Sequence, residues 1–156
     1  MMRRLFLASV FAVLAPSLLL AQKPPRPPKQ DVLYLLHASN LIETEVSEAK
    51  EEKRKDDTAY TVNGVSSPAR TPMAEPIFLL DSRSIRPEQL TLFKLEVKNG
   101  HRETVLKKRG NNRPLHLSMK RLGEGLYRIE ANEFLQNGQY AITPEGSNQV
   151  FLFEVY

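Results

Sequence analysis

Asn-Gly pairs recur along this chain at residues 63–64, 99–100 and 137–138. The pair suits the positive φ angles of tight hairpin turns, because asparagine tolerates that region and glycine has no Cβ to clash there. The remaining glycines, Gly110, Gly123, Gly125 and Gly146, also stand where a chain reversal is expected. Between these points lie runs of strand length: 32–37, 76–80, 90–98, 101–106, 115–121, 126–131, 139–143 and 149–155. Several of them alternate. Phe93, Leu95 and Val97 share one face of their run, and Lys94, Glu96 and Lys98 share the other. Leu115, Leu117 and Met119 oppose His116, Ser118 and Lys120 in the same way. A period of two predicts antiparallel strands with one wet face.

The closing run is different. Val150, Phe151, Leu152, Phe153 and Val155 make it apolar on both faces, as expected of an interior strand covered from both sides. Short helical turns fit 84–90, where Pro87 stands near the start, and 132–136. The segment 43–57 supports two readings. One is a solvated helix with Glu51 and Lys55 at i,i+4. The other is a hairpin that turns at 53–57 and returns through 58–62, which the surrounding strands favour. Short strands separated by turn signals predict an all-β fold: an antiparallel β-sandwich, immunoglobulin-like or related, with one or two short helical turns.

The N-terminus follows another chemistry. Arg3 and Arg4 precede an uncharged run from 5 to 20, interrupted only by Ser9, Pro16 and Ser17. Fixed positive charge that stays cytoplasmic while an apolar run enters the bilayer is the arrangement of a Sec-type signal peptide. Cleavage is expected near Ala21, although Leu19 departs from the small residue preferred there. A short run containing a proline suits a signal better than a spanning anchor. Residues 22–30 hold Pro24, Pro25, Pro27 and Pro28, which favours extended polyproline II and predicts a stiff linker. The expected organisation is a signal peptide over 1–21, a Pro-rich linker over 22–30 and a β-sandwich domain over 31–156. The chain has no cysteine, so it forms no disulfide and offers neither thiolate chemistry nor a Cys-based metal site. A small exported domain without disulfides suits a bacterial envelope, in the periplasm or outside the cell.

Candidate chemistry is sparse. Ser47 and Lys50 match the S-x-x-K pattern of serine penicilloyl transferases and β-lactamases, in which the lysine sits one helical turn from the nucleophile. No Ser-Asp-Asn or Lys-Thr-Gly follows, and the chain is far shorter than that fold. The histidines, His37, His101 and His116, form no i,i+4 pair and no H-E-x-x-H motif. His101 and Glu103 could share one strand face within reach of a metal, but two ligands do not make a site. The carboxylates of 43–57 lack calcium-loop spacing and are interleaved with Lys50, Lys53, Arg54 and Lys55, which would repel a cation. No catalytic, cofactor-binding or metal-binding residue is assigned.

One charged feature remains. The stretch 101–128 gathers Arg102, Lys107, Lys108, Arg109, Arg113, Lys120, Arg121 and Arg128 against only Glu103 and Glu124. The formal net charge of +4 is thus unevenly placed: acidic residues outnumber basic ones across 31–81, and the reverse holds from 82 onward. Clustered cations attract polyanions. For an exported chain, an anion-binding surface of this kind fits an acidic protein, an anionic polysaccharide or lipid headgroups. Nucleic acid does not fit, because only Tyr127 could stack a base within the stretch. Alternating strands also place lysine and arginine outside with no function attached.

The end of the chain, Leu135-Gln136-Asn137-Gly138-Gln139-Tyr140-Ala141-Ile142 followed by 147–155, resembles the ends of small exported bacterial β-domain proteins of unknown function. In those, a leucine, a glycine and a tyrosine lead into a hairpin that closes on a Phe-rich strand. The resemblance covers the last quarter and carries no catalytic residue. The expected function is a non-catalytic exported β-sandwich that binds or scaffolds something in the bacterial envelope. One alternative is a small exported hydrolase or metal-dependent enzyme built on Ser47 and Lys50 or on His101 and Glu103. A second is a small outer-membrane β-barrel, suggested by the terminal Tyr156. Glu154 breaks the lipid-facing alternation behind that tyrosine, and prolines at 68, 72, 76, 87, 114 and 144 interrupt the chain.

Overall fold

In the computed structural model, residues 23–109 and 113–156 are described; the signal peptide expected over 1–21 and the turn expected at Gly110 lie outside the described residues. The strands are β1 (Leu33–His37), β2 (Asn40–Glu43), β3 (Glu45–Glu48), β4 (Lys50–Arg54), β5 (Asp57–Asn63), β6 (Arg70–Thr71) and β7 (Ile77–Asp81). After one 3-10 turn, Pro87–Gln89, come β8 (Leu90–Lys98), β9 (His101–Leu106), β10 (Leu117–Arg121), β11 (Leu126–Ala131), β12 (Gly138–Pro144) and β13 (Gln149–Val155). The expected helical turn at 132–136 is an irregular bend. There the Leu135 N–H donates to the Ala74 carbonyl and the Asn132 N–H to that of His116. The segment 43–57 is extended, and its second half is the β4–β5 hairpin with Arg54 opposite Asp57.

Two antiparallel sheets form the expected sandwich. The smaller runs β10-β11-β7-β1-β2, and the larger runs β3-β13-β12-β8-β9-β5-β4, with β6 added parallel to the end of β13. Inward residues of the smaller sheet, Leu33, Leu35, Phe78, Leu80 and Ile129, pack against Leu92, Tyr140, Ile142, Phe151 and Phe153 of the larger. Phe78 meets Phe153 edge-on at 4.9 Å, and Tyr140 stacks on Phe153 at 5.4 Å. Ring pairs of this kind contribute about 0.5–1.5 kcal/mol each beyond their buried area.

The larger sheet is also bent round on itself. β3 and β4 stand at opposite ends of its strand order, yet only Ala49 separates them along the chain. The run 45–54 therefore pairs with β13 through its first half and with β5 through its second. β8 turns the opposite corner. Residues 90–95 pair with β12, and residues 96–98 pair with β9. The strand path returns to its start and encloses a lumen, so β8, β12 and β13 carry apolar residues on both faces. One face meets the smaller sheet and the other faces the lumen.

Residues 23–31 lie against the smaller sheet. Arg26 makes a two-pronged ion pair with Asp81 at 2.9 and 2.8 Å, and Lys29 pairs with Glu43 at 2.8 Å. Gln30 forms a parallel bridge with Asp81.

Candidate functional site

Along β12 and β13, side-chain size alternates with the pleat. Tyr140, Ile142, Phe151 and Phe153 fill the sandwich core, while Ala141, Thr143 and Val150 face the lumen. The other lumen strands repeat the choice of modest side chains, with Ala49 at the β3–β4 junction, Val62 on β5 and Thr91 and Thr104 on β8 and β9. Small barrels are normally filled by their own side chains. Here the small residues leave a space beside Tyr60, Phe93, Leu95 and Leu106, and a cavity of about 550 Å³ remains, open to solvent. Its volume lies within the roughly 300–1,000 Å³ typical of small-molecule sites.

The cavity lining combines hydrocarbon with hydroxyls and carboxylates. Its apolar wall is Val62, Phe93, Leu95, Leu106, Ala141 and Val150, and its hydroxyls come from Tyr60, Thr91, Thr104, Thr143 and Ser147. Thr143 also shapes the rim, where its hydroxyl donates to the Gln149 carbonyl at 2.8 Å and holds the β12–β13 turn. The ionisable carboxylates along the lining are Glu51, on β4, and Glu145, in that turn. Glu51 lies directly across from Tyr60. Burial pushes the Tyr60 hydroxyl above its ordinary pKa, and the charge of Glu51 and a hydrogen bond to it push it further. Below the cavity the lumen is closed by Arg102. Its guanidinium is 1% exposed and bound to both oxygens of Glu45 at 2.9 and 3.0 Å. The carbonyls of Asn63 and Gly64 accept two more of its N–H groups at 2.8 and 3.1 Å.

Arg102 is therefore a structural plug, and its burial removes it from the expected anion-binding surface. The other basic residues fall into two places. Lys107, Lys108 and Arg109 follow β9 and are exposed, as is Arg113 beyond them. Lys120, Arg121 and Arg128 belong to the β10–β11 hairpin of the smaller sheet, where Lys120 stands opposite Arg128. Arg128 is paired with Glu130, and Arg121 donates to the Gly123 carbonyl at 3.1 Å.

The two candidate catalytic pairs are placed differently. Ser47 and Lys50 are three residues apart on extended backbone, so the pleat turns them to opposite faces. His101 and Glu103 do meet, at 3.1 Å, but Glu103 also accepts from Arg54 at 3.0 Å and lies 3.7 Å from Lys98. The Arg54 guanidinium and then His101 hold the Glu103 carboxyl down at about 2. A carboxylate already held by cations is a poor metal ligand, and among the described residues no three His, Asp or Glu side chains gather to hold an ion.

No family model, no curated protein and no solved structure matches this chain.

Proposed function

We propose that this chain is a non-catalytic binding module of the bacterial envelope, exported by its N-terminal signal, and that it carries its ligand inside the curled sheet. The observation that carries this reading is the cavity, kept open by alanine, valine and threonine on strands whose opposite faces are packed with phenylalanine and leucine. A fold held by a dense core on one side has no structural need for a void on the other. The pattern of charge weighs against the membrane-barrel alternative. Lys50, Glu52 and Arg54 of β4 and Lys94, Glu96 and Lys98 of β8 point away from the lumen and are exposed, where a spanning barrel carries an apolar band.

The test has two arms. Mass analysis of the protein recovered from a bacterial periplasm should show a chain beginning at Gln22. The purified mature chain should raise the fluorescence of Nile red, an uncharged apolar dye, in a saturable way. Leu106→Lys, a change at the half-buried mouth, should abolish that signal while the unfolding temperature stays near that of the parent. Retention of the whole precursor in the cytoplasm would overturn export, and a dye signal indifferent to Leu106→Lys would overturn the cavity. A second reading, attachment to an anionic surface, is favoured by the exposure of Lys107, Lys108 and Arg109 together.

A further inference from the structure

The identity of the occupant can be narrowed from the wall of the cavity. Its buried wall is mostly hydrocarbon, from Val62, Leu95, Ala141 and Val150 with the Thr104 hydroxyl among them, while its two carboxylates, Glu51 and Glu145, are exposed. Such a lining suits a molecule with an apolar body and one polar end, entering body first. The polar end must then lie among groups that accept hydrogen bonds and carry negative charge. Glu51 and Glu145 both line the cavity and both are exposed, while among the described residues no lysine, arginine or histidine lines it. Lys107, Lys108 and Arg109 come directly after Leu106, but their side chains are exposed and none contributes to the lining. The whole chain is positive, and the cavity is locally negative.

We infer that the cavity takes a single-chain amphiphile whose head is a cationic amine, with the alkyl or aryl body against Leu95, Ala141 and Val150 and the ammonium between Glu51 and Glu145. The inference rests on the binding reading given above and adds the class of ligand to it. An ammonium donates three hydrogen bonds and accepts none, so carboxylates and threonine hydroxyls suit it as partners. A carboxylate or phosphate head would face Glu51 and Glu145 with like charge. It would also leave the water it is desolvated from without replacement by a donor of positive charge.

Three probes of one chain length separate the possibilities: dodecylamine, dodecanol and dodecanoate, each kept below micelle-forming concentration and each displacing Nile red from the mature protein. Dodecylamine is expected to displace the dye at least tenfold more effectively than dodecanoate, with dodecanol between them. Glu51→Gln combined with Glu145→Gln should bring the three curves together and leave the dye bound. Both positions are exposed, so the variant keeps its fold, and its unfolding temperature serves as the control. Equal displacement by all three probes, preference for dodecanoate, or a preference that survives the double substitution would overturn the inference about the head group and leave the cavity reading in place. Absence of dye binding by the parent protein would overturn both.

Discussion

Arg102 and Glu45 form an unequal pair, because the guanidinium is 1% exposed and the carboxylate side chain 27%. Removing either partner strands the other, and the penalty depends on which charge water can still reach. Glu45→Ala leaves a buried cation with only two backbone carbonyls, and about 3 kcal/mol of stability should be lost. Arg102→Met leaves a carboxylate that can turn to solvent and the carbonyls of two exposed residues, Asn63 and Gly64, so the loss should be smaller, about 1–2 kcal/mol. Urea unfolding of the two variants checks the order, and the reverse order would refute the argument. Two other carboxylates make stability depend on acid. Glu103 is held at about 2 by Arg54 and His101. Burial pushes Asp31 up, but the N–H of Ile85, the Ser84 hydroxyl and the N–H groups of Arg83 and Ser84 outweigh it and hold it at about 2. Both sit below their unfolded values of 4.5 and 3.8. Their contribution is complete above those values and is lost as pH falls through about 2. The urea midpoint should therefore drop in this window, and Glu103→Gln with Asp31→Asn should flatten the drop.

Hairpins show how local chemistry and pairing divide the work. Asn99 and Gly100 take φ values of 50° and 78° and turn β8 into β9, as an Asn-Gly pair suggests. The other two pairs do not close tight hairpins: Asn63-Gly64 leads into a loop, and Gly138 begins β12. The turn at 38–39 was hidden from the sequence because ordinary residues make it, and the turn expected within 53–57 is likewise made without glycine. Ala38 and Lys55 both have a φ of 54°, between strands whose registers, His37 opposite Asn40 and Arg54 opposite Asp57, leave two residues for the turn. Register imposed by the neighbouring strands overrides the preference of a side chain for negative φ. β2 escaped notice, being short and nearly continuous with the polar run that follows, and β3 was not distinguished within the hairpin expected over 43–57. Ala38→Gly should relieve about 1–2 kcal/mol of backbone strain. About half of that is given back as unfolded-state entropy, so a small rise in unfolding temperature is expected. Gly125→Ala should act in the opposite sense. At φ 67° its Cβ would approach the Ser82 carbonyl oxygen to 3.0 Å, and a loss of about 1–3 kcal/mol is expected from thermal unfolding.

At the scale of the molecule, the sandwich was legible and the lumen was not. Period-two alternation reveals that a strand has two faces, and the doubly apolar run 150–155 announced a strand covered on both. What covers the second face depends on closure between β3 and β13, a pairing of residues far apart in sequence that no local pattern encodes. The alternation of Phe151 and Phe153 with Val150 and of Tyr140 with Ala141 was the available signal: large residues for a filled core, small ones for a space. The basic cluster read as one surface divides into a plug, a loop and a hairpin, since proximity along the chain is not proximity in a sheet. If the loop holds the molecule to anionic vesicles, binding should weaken with added salt, because exposed charges are screened beyond about 8 Å at physiological ionic strength. Lys107→Ala, Lys108→Ala and Arg109→Ala together should weaken it as well, as measured by vesicle sedimentation, and indifference to both would remove the loop from any such role. The closure has a consequence in time. β13, made after the other twelve described strands, pairs with β12, β3 and β6, and its Phe151 and Phe153 are the centre of the core. Until that strand is present the larger sheet has no interior and the run 45–54 no first partner, so a nascent chain has no subset of strands that can finish folding early. Long-range pairing of this order also slows the search. If the chain is exported through a channel that admits unfolded polypeptide, as proposed, its own topology keeps it from folding until β13 has been made.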